Sequence, residues 1–135
     1  KNIKKRGAFT LSVADVPHIE AADFFGIATA NKMGDKFARS GLSAAKSEFV
    51  DAPVVTDFPL TMECKVVECQ STVYGFRVLG EIVNTLVDEK AFDENGKVDM
   101  GRINAFVFDQ SKSGYYAVGD KVGQAWHSGA PLIKK

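Results

Sequence analysis

The chain has 135 residues, 45% of them hydrophobic and 25% charged, and its 17 basic residues balance 17 acidic ones. That size and composition fit one globular domain over 1–135, able to bury about two-thirds of its unfolded surface without a disulfide or metal. Zero net charge argues against a dedicated nucleic-acid binder, no apolar run nears the roughly 20 residues of a membrane span, and two cysteines make no secreted disulfide framework, so a cytoplasmic protein is expected.

The chain begins at Lys1 with a basic stretch, Lys1 to Arg6, which reads as a solvated strand end or as a face toward a phosphate. A strand already in progress at this point suggests that an N-terminal segment is missing. Residues 8–13 alternate apolar and polar side chains, the pattern of a half-buried strand. Asp15 and Pro17 signal a helix start, and Ile19, Ala22, Phe24, Phe25, Ile27 and Ala28 continue an apolar stripe to about residue 30. Asn31 to Asp35 is a polar loop, followed by a short helical turn that ends at Gly41.

An extended segment from Ala52-Pro53 leads to Pro59. Two long strands, 60–70 and 76–88, flank a turn at 71–75 and read as a hairpin. Gly80 inside the second strand predicts a bulge or a close backbone approach. Asp93 to Lys97 is a turn built on Asn95-Gly96. A short helix is expected over 100–104, short strands over 105–108 and 115–118, and a short helix in the tail ending at Gly129.

No constellation of catalytic or metal-ligating residues stands out. Cys64 and Cys69 are five apart on one predicted strand, which places them on opposite faces as one core thiol and one surface or interface thiol. His18 and His127 lack ligand-spaced partners and read as surface residues. Nucleophile-elbow, phosphate-loop and dinucleotide-fingerprint patterns are absent. Tyr115-Tyr116 and Trp126 are aromatic in a polar C-terminal third, which by itself favours packing.

Five segments in order resemble one family, the flavin reductase-like domain with the FMN-binding split-barrel fold, which includes flavoredoxin and archaeal ferric reductase. Asn2-Ile3-Lys4 with Gly7 to Ser12 is similar to its N-I-x-x-(S/T)-G-x-F-x-x-N, with Ser12 where Asn is frequent. Gly34-Asp35-Lys36-Phe37 and Gly41-Leu42 resemble its D-K-F…G-L. Ala52-Pro53, Pro59-Leu60 and Glu63-Cys64-Lys65-Val66 resemble A-P-x-I…S-P…E-C-K-V. The segment 75–83 and then Tyr115 to Gly119, with Gly123 and Gly129, complete the series.

The resemblance implies a mainly β protein with short helices, a Greek-key split β-barrel, a homodimer and bound FMN. It also implies further residues before Lys1 that supply barrel strands and flavin contacts. Carried residue by residue, it makes Asn2 a donor to the flavin phosphate. Lys36 becomes a charge near the phosphate or ring edge, or else a helix-surface lysine paired with an acid. Thr29 and Lys32 fall in the loop that approaches the flavin, and Tyr115 or Tyr116 either walls the ring or packs. The flavin carries the reaction, so no side chain is assigned as acid or base. Three functions follow: an NAD(P)H-dependent flavin reductase, an FMN electron-transfer protein of the flavoredoxin kind reduced by a partner protein, or a split-barrel binding protein without flavin.

Overall fold

The computed structural model describes residues 2–133. In chain order it contains α1 (Asn2–Arg6), β1 (Ala8–Val13), α2 (Ile19–Ile27), α3 (Lys36–Arg39), β2 (Ala44–Lys46), β3 (Pro53–Val55), β4 (Leu60–Thr72), β5 (Gly75–Val87), α4 (Met100–Ile103), β6 (Phe106–Asp109) and β7 (Gly114–Ala117). The strands form an antiparallel sheet in the order β1-β4-β5 and two two-stranded ladders, β2-β3 and β6-β7. Among the described residues no helix is long and apolar enough to cross a membrane.

The period-2 pattern of β1 and β4 divides the sheet into two unlike faces. On one face, Ser12 opposes Thr61 with the hydroxyl oxygens 2.7 Å apart, and Glu63 opposes Asn84, whose amide donates to its carboxyl at 2.5 Å. The β2-β3 ladder covers this polar face. The Thr10 hydroxyl pins it by donating to the Pro53 carbonyl at 2.6 Å. On the other face, Val13, Leu60 and Val87 form one row across the three strands. That row packs against the buried Ala91, Ile103 and Ala105. Asp99 caps α4 by accepting from the backbone N–H of Gly101 and Arg102, which fixes Ile103 against the row.

Gly80 makes the close approach expected of it. A Cβ there would lie 2.7 Å from Cζ of Phe9 and 3.2 Å from Cβ of Cys64, so the Phe9 ring lies across the glycine. Opposite Gly80 the register shifts between Val66 and Glu68, leaving Val67 without a partner on β5.

That bulge overturns the expectation for the cysteines. Cys64, Val66 and Cys69 oppose Ile82, Gly80 and Val78, alternate residues of β5, and so share one face. The extra residue in β4 cancels the odd spacing. Cys64 is buried and Cys69 half-buried, and both are free thiols.

Three other expectations change. Of the basic start, Asn2–Arg6 is a helical turn instead of a strand end, and Lys1 lies outside the described residues; Gly7, at φ +63°, takes the left-handed conformation that closes the turn, with its N–H on the Ile3 carbonyl. His18 is half-buried, bonded through Nδ1 to Asp15 and edge-on to Phe58, so it is no free surface histidine. The tail forms turns and a short 3-10 segment, Ala130–Leu132, in place of a helix over 119–129, because Val122 and Trp126 have no surface to pack on and stand 102% and 95% exposed.

Candidate functional site

The loop after α2 carries Thr29 and Lys32, and Lys36 opens the short helix that follows it. A helix C-terminus leaves carbonyls without intrahelical donors, and a cation there also meets the negative end of the helix dipole. Lys36 answers both needs. Its Nζ donates to the carbonyls of Phe25 at 2.8 Å and Ala28 at 2.7 Å, and it stands 5.4 Å from the centre of the Phe25 ring. Phe25 in turn stacks on Phe37, the centroids 6.2 Å apart and the planes 7° from parallel. Lys36 therefore ties the start of α3 to the end of α2 and closes the intervening loop. It pairs with carbonyl oxygens here, where the helix-surface reading expected an acid.

Within that loop the Thr29 carbonyl accepts from the N–H groups of Lys32 and Met33 at 3.1 and 3.0 Å, which folds 29–33 into a tight turn. The Thr29 hydroxyl oxygen accepts from the Asn31 N–H at 3.4 Å, leaving its own proton free to donate outward. Thr29 and Lys32 are exposed, and among the described residues Lys32 has no acid partner. At the next helix, Asp35 bonds to Arg39, and that hydrogen bond holds its carboxyl below the usual carboxylate range.

The two tyrosines point apart, as neighbours on one strand must. Tyr115 packs edge-on to Phe106 and tilted against Phe108, and its hydroxyl donates to Asp23 of α2 at 2.6 Å. That hydrogen bond, followed by desolvation and the Asp23 charge, raises the Tyr115 pKa. Tyr115 therefore docks the β6-β7 hairpin on the helix that Lys36 caps. Tyr116 pairs with Val107 and is half-exposed.

Asn2 lies elsewhere. It lines a groove of about 650 Å³ with Arg6, Lys46 and Asp51. One Nη1 of Arg6 reaches both carboxylate oxygens of Asp51, at 2.7 and 2.6 Å, and so closes one wall. The structure places Thr29 and Lys32 on the loop and Lys36 at the start of α3, where it closes that loop, and links Tyr115 to them through α2, while Asn2 and Tyr116 stand away. Sequence reasoning named Phe25 only within the apolar stripe and did not single out Asp23 or Lys46. Asp23 meets a partner 92 positions away, and no local pattern announces such a pairing.

Residues 1–115 match the profile of the flavin reductase like domain. The chain belongs to the flavin reductase-like domain family. Flavoredoxin of Desulfovibrio vulgaris (Miyazaki F) is 34% identical, with a TM-score of 0.84 over 94% of this chain and 67% of that one. Flavoredoxin from Methanosarcina acetivorans is 23% identical with a TM-score of 0.87, over 96% of this chain and 68% of that one, and shows the shared fold. A Shewanella frigidimarina protein, described as a flavin reductase with a split barrel domain, is 29% identical with a TM-score of 0.72 over 91% of this chain and 62% of that one. The chain thus spans about two-thirds of the length of these relatives. No curated protein sequence matches it. The family's mainly β split-barrel architecture is the fold of this chain.

Proposed function

We propose that the chain is the FMN-binding part of a flavin reductase-like oxidoreductase that passes electrons from NAD(P)H to flavin or another acceptor. The observation that carries this reading is the likeness of 94% of the chain to a flavoredoxin at 34% identity. The loop after α2 fits the cofactor's chemistry. A phosphate group needs fixed donors, and charge-assisted hydrogen bonds contribute about 1.5–3 kcal/mol each. Thr29 offers a hydroxyl proton and Lys32 an exposed ammonium on one tight turn. Lys36 acts as a positioning residue, since its ammonium is already engaged by two carbonyls and holds the turn in place. Asn2 is a donor in a separate groove, apart from this turn, and Tyr115 and Tyr116 present aromatic surface on opposite faces of the far hairpin.

Bound FMN supplies the redox chemistry, accepting electrons in pairs and releasing them in pairs or singly. The residues here would bind and orient the cofactor; none is needed as acid or base. Homodimerisation belongs to the same proposal, supported by the open apolar face of the main sheet.

The test is uptake of FMN by the purified protein, read by visible absorbance. Saturable binding that falls in the Lys32→Ala variant is expected; a colourless protein that takes up no added FMN overturns the reading in favour of a split-barrel binding protein without flavin. A second reading, an electron-transfer protein reduced by a partner protein, draws on the two flavoredoxins among the similar structures. Anaerobic mixing with NADH or NADPH separates the two. Prompt bleaching of bound flavin supports the reductase, and flavin that stays oxidised for minutes supports the partner-reduced protein.

A further inference from the structure

Two apolar surfaces of the chain stand uncovered. The first is the open face of the main sheet, where Leu11, Phe76 and Ile82 are each more than half exposed. Phe76 and Ile82 lie at alternate positions of β5 on the same side as Gly80. Lys4 stands 3.7 Å from the centre of the Phe76 ring and marks the end of the patch. The second is the C-terminal tail, where Val122, Trp126, Leu132 and Ile133 are all exposed. Single apolar side chains on a surface are ordinary, but grouped ones mark a place of association.

The tail has a fixed shape. The Ser128 hydroxyl oxygen accepts from the Gln124 N–H at 2.8 Å and donates to the Gln124 carbonyl at 2.9 Å. The Ser128 N–H reaches the same carbonyl, and the Ala130 N–H bonds to the His127 carbonyl at 3.0 Å. Inside this turn Trp126 sits at φ +62°, in the left-handed region that disfavours a side chain. Backbone held in such a region by its surroundings clusters at ligand clamps and switch segments. The tail leaves the body at Val118, whose N–H bonds to the carbonyl of Ala105 at the covered end of the sheet. A tail that packed on its own sheet would be covered within one chain, and this one is not.

We infer that the tail of one copy lies on the open sheet face of a second copy, with Trp126 as its anchor, and that the exchange is reciprocal. The inference rests on the homodimer of the proposed function and names the segment that closes it. Each arm brings one tryptophan of about 150–250 Å² and three aliphatic side chains of about 60–120 Å² each. Two arms with the two faces they cover bury on the order of 1,500–2,000 Å², the size of a stable specific interface. One arm on one face buries about half of that and falls short, which favours a second copy over a one-sided partner. Between 119 and 133 Asp120 and Lys121 cancel, so with His127 neutral the arm brings no net charge to an apolar contact.

Trp126 is the single tryptophan of the chain, so its fluorescence reports on the arm directly. Sedimentation of the full chain between about 1 and 100 µM, a span that brackets micromolar affinity, should show a monomer–dimer equilibrium. Over the same span Trp126 emission should move to the blue and become shielded from acrylamide. Trp126→Ser changes a side chain that stands in water in the monomer, and it should weaken the dimer roughly tenfold or more. Leu11→Lys, on the sheet face, should return Trp126 to the emission of a free indole. A dimer whose affinity is unchanged in Trp126→Ser, or whose formation leaves Trp126 emission unmoved, overturns the arm exchange and leaves the homodimer standing. A chain that stays monomeric throughout overturns both. A Trp126 already shielded in the monomer puts the arm on its own chain and overturns the exchange as well.

Discussion

The main sheet covers its polar face and leaves much of its apolar face open. Thr61 and Glu63, on the polar side, are 2% and 1% exposed, whereas Leu11 and Ile82, on the apolar side, are 54% and 55% exposed. The difference lies in what lands on each face. The β2-β3 ladder, anchored by Thr10 and by the Arg6–Asp51 pair, lies over the polar residues. The segment from Ala91 to Ala105 reaches only the terminal row of Val13, Leu60 and Val87. A polar face can be covered this way only if its groups are paired, and the Ser12–Thr61 and Asn84–Glu63 contacts do that. An apolar face left open is in turn a surface that suits association.

The largest effect should come from filling the close approach between Gly80 and Phe9 on the open face. Gly80→Val would drive its side chain into the Phe9 ring and is expected to cost about 2–3 kcal/mol in urea unfolding, as overpacking does. If the cost is below ~0.5 kcal/mol, the apolar face is looser than the register implies. Next, Asn84→Leu should cost about 1–3 kcal/mol, because it removes the amide that bonds Glu63 and leaves a buried carboxyl bare. A neutral result would show that the polar face is open to water and that the two faces differ less than described.

Beyond the sheet, Tyr115 docks the β6-β7 hairpin on α2, and pH probes that contact. The Asp23 hydrogen bond raises the Tyr115 pKa, so the folded state favours the neutral phenol. Its contribution is therefore complete below the unfolded tyrosine value of about 10 and is lost as pH rises from there through the folded value. Near-ultraviolet titration should show one phenol ionising late, and Asp23→Ala should bring it back toward the ordinary value. The smallest effect on monomer stability should come from Leu11→Lys, within about 0.5 kcal/mol because the side chain is already half in water. The same substitution should dissociate a homodimer built on the open face, as read by sedimentation. A dimer that survives it uses another surface.

Much of this was legible in the residue order. The alternation of 8–13, the hairpin at 60–87, the Asn95-Gly96 turn and the close approach at Gly80 are local consequences of side-chain period and turn chemistry, and each stands in the structure. The ordered motifs carried the family. For the candidate site, Thr29 and Lys32 were legible as one loop and Lys36 as part of the helical turn after it, but the task of Lys36 was not, because its partners are backbone carbonyls that any sequence would possess.

What the sequence alone determined is the strand at 8–13, the long hairpin, the two short C-terminal strands and the family, since these depend on neighbouring residues; the strand at 44–46 was not among them. The tertiary structure decided which face each strand turns to its cover and which groups meet across it. One unpaired residue, Val67, returned Cys69 to the face of Cys64, and a ladder of two three-residue strands buried Glu63. Both outcomes depend on pairing between distant segments. A bulge or a short covering strand adds almost nothing to local periodicity yet changes which side chains are enclosed.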